Sequence, residues 1–196
     1  MLSQTRFTKD KIYSLHEPEV ACIAKGKSHK PYEFGSKISI ATLPKSNVVI
    51  EVSHFMGNPH DSQTLEPVLE SIKRQAEKVF GHGIVDRGYR GKKKIGETVI
   101  VVPNPKEDST KSIQYQKDKS RQCKSRAAIE PVISHLKHDC RMLRNYLKGV
   151  EGDKINAIMA GAAFNFRMAL REIKVTILLW LFFIEKLYLN SRNRYY

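Results

Sequence analysis

Residues 83–91 read Gly-Ile-Val-Asp-Arg-Gly-Tyr-Arg-Gly, and the first four decide the fold. Gly83, Ile84 and Val85 form a short apolar run, the signature of a buried strand, and Asp86 places a carboxylate where that strand gives way to a loop. In open α/β sheets ligands gather at that edge of the strands. An aspartate close to a glycine is also ordinary turn chemistry. This stretch alone leaves both readings open.

Working outward, the chain before residue 83 shows helical spacing from Thr64 to Phe80, with apolar side chains at Leu65, Val68, Leu69, Ile72, Ala76 and Val79. Ahead of that helix, the segment Gly-Asn-Pro-His-Asp-Ser (57–62) is a loop by composition. Further back, Tyr32, Phe34, Ile38 and Ile40 alternate with polar residues as in a half-buried strand, and Val48–Phe55 forms a second β-rich run. The short break at Pro44–Asn47 makes an antiparallel hairpin the natural pairing.

Beyond residue 91, a basic loop leads to another expected buried strand, Thr98–Val102, stopped by Pro103 and Pro105. Residues 104–122 are polar and dense in charge, and are expected to form a mobile connection. Helices are expected over about Ser125–Leu143, Asp153–Arg171 and 173–189. The pattern is α/β with mixed strand directions. It divides into an irregular basic segment (1–31), a main domain (32–172) and a hydrophobic helix with a basic tail (173–196).

Composition narrows the partners. The 34 Lys and Arg outnumber the 20 Asp and Glu, giving a formal charge of +14 on 196 residues. Such an excess calls for an acidic partner, and DNA or RNA is the usual one because bound phosphates release condensed counterions. Three widely spaced cysteines, Cys22, Cys123 and Cys140, suggest neither a disulfide framework nor a structural zinc site, which fits a reduced, cytoplasmic setting. The N-terminus lacks the apolar core of a signal peptide. The uncharged run Val175–Ile184 is too short to span a bilayer. It reads as a helix docking on a hydrophobic surface, with an interfacial membrane segment as the lesser alternative, and no membrane partner is expected.

A second constellation lies on the helix expected from Ser125. At 100° per residue, Arg126, Glu130 and Lys137 fall within about 60° of one another, beside a buried stripe expected at Ile129, Ile133 and Leu136. A solvated ion-pair ladder would look the same.

The Arg–Glu–Lys spacing of four and seven resembles the C-terminal signature of DDE transposases of the IS4/IS5 superfamily, and Val85-Asp86-Arg87-Gly88-Tyr89 resembles the second Asp motif of the same enzymes. Wider stretches also resemble the IS5-like group of bacterial insertion-sequence transposases: YSLHEPEV, KGKSHKPYEFGSKISIAT, HFMGNPHDSQTLEPV, SRAAIEPVISHLK and RNYLKGVEGDKINAIMAGAAFNFRMAL. The likeness runs from about Lys11 to Leu170. It implies an RNase H-like catalytic domain with a mixed sheet flanked by helices. Asp86 and Glu130 would ligate Mg²⁺ or Mn²⁺, and Arg126 and Lys137 would face DNA phosphate. Two divalent ions roughly 3.5–4 Å apart would serve phosphodiester cleavage and strand transfer, and hard cations of this kind require oxygen ligands.

Three departures stand out. Cys123 occupies the position where the signature usually has tyrosine. Pro131 directly follows Glu130, so the helix is expected to kink or begin there. No strand-borne aspartate precedes Tyr32: Asp10 lies in a polar run, and Glu17 and Glu19 flank a proline. The resemblance therefore implies an N-terminally truncated copy lacking the first catalytic aspartate, inactive when alone. The alternative function is a catalytically inactive fragment that binds DNA or the full-length transposase. A homo-oligomer is a further possible partner.

Lys25, Lys27, Lys30, Arg87, Arg90, Lys92, Lys93 and Lys94 are candidate contacts to the DNA backbone, positioning it without reading sequence. His135, His138 and Cys140 cluster in sequence but match no common zinc spacing. Asp61 is expected to cap the Thr64–Phe80 helix rather than bind metal. Tyr89, Tyr146 and Phe164 are expected in the core rather than stacked on bases.

Overall fold

The computed structural model describes residues 11–24, 28–29, 31–104 and 112–192, with side chains described as far as residue 190. Two antiparallel hairpins come first: β1 (Ala21–Ala24) pairs with β2 (Tyr32–Gly35), and β3 (Lys37–Thr42) pairs with β4 (Val49–Phe55). The alternation from Tyr32 to Ile40 is therefore two strands with two different partners. Gly35, at φ 142°, interrupts the run in a region side chains rarely adopt. β2 is exposed rather than half-buried, and Phe34 packs instead on Tyr13 with ring centroids 5.5 Å apart.

Helix α1 (Asp61–Ala76) follows. Its cap is His60 and not Asp61: the His60 ring accepts from the Ser62 backbone, and the Gln63 side chain accepts from the His60 backbone. It ends four residues earlier than its apolar spacing suggests, because Glu77 turns left-handed at φ 50°.

A third sheet has the order β5 (His82–Ile84), β7 (Thr98–Val101), β6 (Lys94–Ile95). β5 and β7 run parallel and β6 runs antiparallel to β7, so the expected mixture of directions is present here. The hydrogen bonding makes three small sheets rather than one mixed sheet.

The helical part departs more. The expected connection over 104–122 contains most of α2 (Ile113–Ala127), capped by the Ser112 side chain, while residues 105–111 lie outside the described set. α3 (Ile129–His138) begins after a single break at Ala128. Pro131 explains the break: it falls in the first turn of α3, where its missing N–H is not needed. α3 buries Val132 and Leu136, while Ile129 and Ile133 are half-buried.

The two expected C-terminal helices are one, α4 (Gly149–Arg192), 44 residues long. Residue 172, the expected domain boundary, falls inside it. What changes near there is packing: α4 lies on β4 and α3 as far as Met168, and every residue from Ala169 to Asn190 is exposed.

The core joins Val49, Val132, Leu136, Ala160 and Phe164, with Ile40, Val52 and Met168 packed against it. Gly161 permits the close approach of α4, since a Cβ there would lie 2.8 Å from Val52 Cγ2. Asn165 completes the junction: its side chain accepts from Val49 N (2.9 Å) and donates to Val49 O (2.8 Å), replacing ladder bonds that a neighbouring strand would make. Buried Glu51 is satisfied by neutral donors, Ser53 at 2.6 Å, Ser71 at 3.1 Å and Gln75 at 3.0 Å.

Candidate active site

Asp86 lies two residues beyond the end of β5, and the bond from Val85 N to Val101 O (3.0 Å) carries the pairing up to it. The chain then enters a 3₁₀ turn, Arg87–Tyr89, for which Asp86 is the cap: its Oδ1 accepts from Arg87 N at 2.6 Å. The carboxylate is thereby fixed at the sheet edge by the backbone that follows it.

Across from this turn, the junction of α2 and α3 supplies the partners. Arg126, near the end of α2, donates to Asp86 Oδ1 through Nε at 3.1 Å and lies 3.0 Å from it through a terminal nitrogen. The same nitrogen lies 3.8 Å from Glu130 Oε1. Glu130 stands in the first turn of α3, where the helix dipole favours an anion. The two carboxylates thus converge on one guanidinium, on the order of 7 Å apart or less. Both are exposed, at 58% and 69%, so the ion pairs hold them only weakly.

Lys137 does not join this cluster. It lies two turns along α3 and points to Glu33 of β2, 4.0 Å away. Asp61, at the start of α1, does approach: its carboxylate packs against Gly88, where a Cβ would come within 2.1 Å of Oδ2. Lys37 holds it in an ion pair at 2.6 Å. Glycine is required at 88 for this contact, a role the sequence read only as turn chemistry.

Among the basic candidates, Arg87, Arg90, Lys93 and Lys94 are exposed around the Asp86 turn and the β6 hairpin. Lys92 pairs with Glu66 of α1. Lys25, Lys27 and Lys30 lie outside the described residues. A cationic element missed in the sequence is the earlier part of α2, with Lys117, Arg121 and Lys124 on a helix that packs near β5. Its Ser112 cap was a legible signal, but the dense charge hid any apolar stripe.

Among the described residues, no group of three or more His, Cys, Asp or Glu could hold a metal ion. His135 is engaged with Asp139 at 2.8 Å, and Arg167 also reaches Asp139, at 3.2 Å. Tyr89 is half-buried and Phe164 is in the core, but Tyr146 is 78% exposed, contrary to expectation.

Carboxylates from a strand end and a helix start converge on one arginine, with Arg87, Arg90, Lys93 and Lys94 exposed nearby. The family follows from the chain as a whole: the model of the transposase DDE domain matches residues 6–166, and the protein belongs to that family. Its function is accordingly that of a transposase in general terms. Neither the curated proteins nor the solved structures contain a significant match. Among the described residues, no helix is long and apolar enough to cross a membrane.

Proposed function

We propose that this chain serves the transposition of an IS5-like insertion sequence, with Asp86 and Glu130 as two carboxylates of a centre for phosphodiester cleavage and strand transfer. The observation that carries the reading is the convergence of Asp86 and Glu130 on Arg126. Strand-end and helix carboxylates offer the hard oxygen donors that Mg²⁺ or Mn²⁺ requires. Arg126 bridges the two acids and offers its guanidinium to a phosphate oxygen. The exposed Arg90, Lys93 and Lys94 beside the turn would seat the DNA backbone.

The donor chemistry suits a divalent ion, but two acids do not complete a two-ion site, and among the described residues no third joins them. No step is therefore routed through the metal. That observation favours a second reading, in which the chain binds DNA or a complete transposase without cutting.

One assay separates the two. The purified chain is incubated with supercoiled plasmid and Mg²⁺ or Mn²⁺, beside Asp86→Ala and Glu130→Gln. Binding without nicking supports the inactive reading. Nicking lost in both variants establishes the catalytic one, and nicking retained in both removes Asp86 and Glu130 from the chemistry.

A further inference from the structure

We infer that the exposed half of α4 is a self-association element that pairs antiparallel with the same helix of a second copy. Starting at Ile155 and stepping alternately four and three residues, α4 presents an apolar side chain at every position to Leu187 except Thr176. This strict seven-residue repeat lies opposite the face that Ala157, Ala160 and Phe164 bury in the core. A straight helix drifts away from such a repeat, and a second helix coiling along it keeps the repeat in contact. Trp180 is 68% exposed and Phe183 62%. A shallow apolar groove on this face is lined by Thr176, Leu179, Trp180, Phe183, Ile184 and Leu187.

Size and charge identify the occupant. With two copies antiparallel about a twofold axis at residue 178, the seam places Ala169 opposite Leu187, Ile173 opposite Phe183 and Thr176 opposite Trp180. Small residues then meet large ones in four of the six layers, the alternation that close packing needs. The same register sets Glu172 beside Lys186 of the second copy, twice. It also closes Ile177 on its own symmetry mate. A parallel pair would instead stack Trp180 on Trp180 and leave Ala169 facing Ala169.

The fold permits the arrangement. Among the described residues, the rest of the domain contacts α4 as far as Met168, on the opposite face, so the two bodies would sit at the two ends of the paired helices. Aromatic side chains bury roughly 150–250 Å² each. The six layers hold four of them, two from each chain, which cover on the order of 400 Å² per chain, and Ile173 and Leu187 add to this.

The test is the mass of the full-length chain by light scattering at low micromolar concentration, with a dimer or a pair of dimers expected. Trp180→Glu should yield monomer with unchanged helix content and melting temperature of the body, because Trp180 touches no core residue. Glu172→Lys and Lys186→Glu should each weaken association by about threefold to thirtyfold, and the double exchange should restore it. Orientation is read with a short thiol crosslinker. Ile177→Cys should crosslink to itself at position 177, and Ala169→Cys should not, its mates lying about 27 Å apart. Monomeric wild-type chain, crosslinking at 169 without crosslinking at 177, or a monomer that floats with phosphatidylcholine vesicles would each overturn the inference.

Discussion

Arg126 grips a single oxygen of Asp86 with two of its nitrogens, at 3.0 and 3.1 Å, and so ties the end of β5 to the junction of α2 and α3. Forty residues separate the pair in sequence. The planar guanidinium is what allows two contacts at once; an ammonium would make one. Arg126→Lys should therefore keep the charge yet loosen the turn at Asp86. Because the pair is exposed, its stability cost should stay under about 1 kcal/mol in urea unfolding. The larger effect should be on DNA affinity and on any metal-dependent nicking. A wild-type profile in both assays would show that Arg126 does not organise the site.

Gly88 and Asp61 give a sharper geometric test. A Cβ at 88 would press into the Asp61 carboxylate, which Lys37 and the start of α1 hold in place. Gly88→Ala should push Asp61 off Lys37 and shift the turn that carries Asp86. The double variant Gly88→Ala/Asp61→Ala should recover much of the lost stability, since it removes the obstructing group. A double variant no better than the single would place the strain elsewhere.

The junction of α4 with β4 should be costly to break. Asn165→Ala removes both side-chain bonds to Val49 and leaves a half-buried strand edge unsatisfied. A loss of about 1–3 kcal/mol is expected in denaturant unfolding. Asn165→Asp keeps the acceptor but not the donor, and should fall between the two. Leu136→Ala, at a fully buried position, should cost more, about 2–5 kcal/mol.

Acid should loosen the contact between the end of α3 and α4. The hydrogen bond from His135, followed by that from Arg167, holds the Asp139 carboxyl below its ordinary 3.8. A carboxylate with a depressed pKa stabilises the fold above its unfolded value, and that contribution fades as pH falls through the folded one. The contribution should be present above the ordinary value of 3.8 and be lost as pH falls below it through the folded one. Asp139→Asn should flatten this limb of the stability profile. An unchanged acid limb in that variant would assign it to other carboxylates.

How far these features could be read from the residues follows from the kind of interaction that makes them. Strand β4, helix α1 and the Asp86 turn were legible because apolar period and turn chemistry act over a few neighbours. Pro131 likewise announced the break before α3. The split of β2 from β3 was not legible, because one positive φ at Gly35 decides it while the apolar residues resume in the same phase after Ser36. α2 was hidden because charge, not an apolar stripe, covers it. Lys137 pairs with Glu33, more than a hundred residues away, a partner that helical spacing could not supply. Within the candidate site, Asp86, Arg126 and Glu130 were named from motif spacing, whereas the approach of Asp61 to Gly88 is tertiary.

DNA binding should be electrostatic and should divide the basic residues according to their partners. Arg90, Lys93 and Lys94 are exposed beside the Asp86 turn, while Lys92 is engaged by Glu66. A cation that neutralises a phosphate releases counterions, and each such contact steepens the fall of log affinity with log salt by about 0.9. Replacing Arg90, Lys93 and Lys94 together with alanine should reduce the slope by up to about 3 and weaken binding alike on unrelated duplexes. Lys92→Ala should change it less, because that charge is already compensated within the protein. Fluorescence anisotropy between 50 and 200 mM salt, on two duplexes of different sequence, measures both quantities. An unaltered slope in the triple variant would move the DNA away from the Asp86 turn, and α2 would become the surface to probe next.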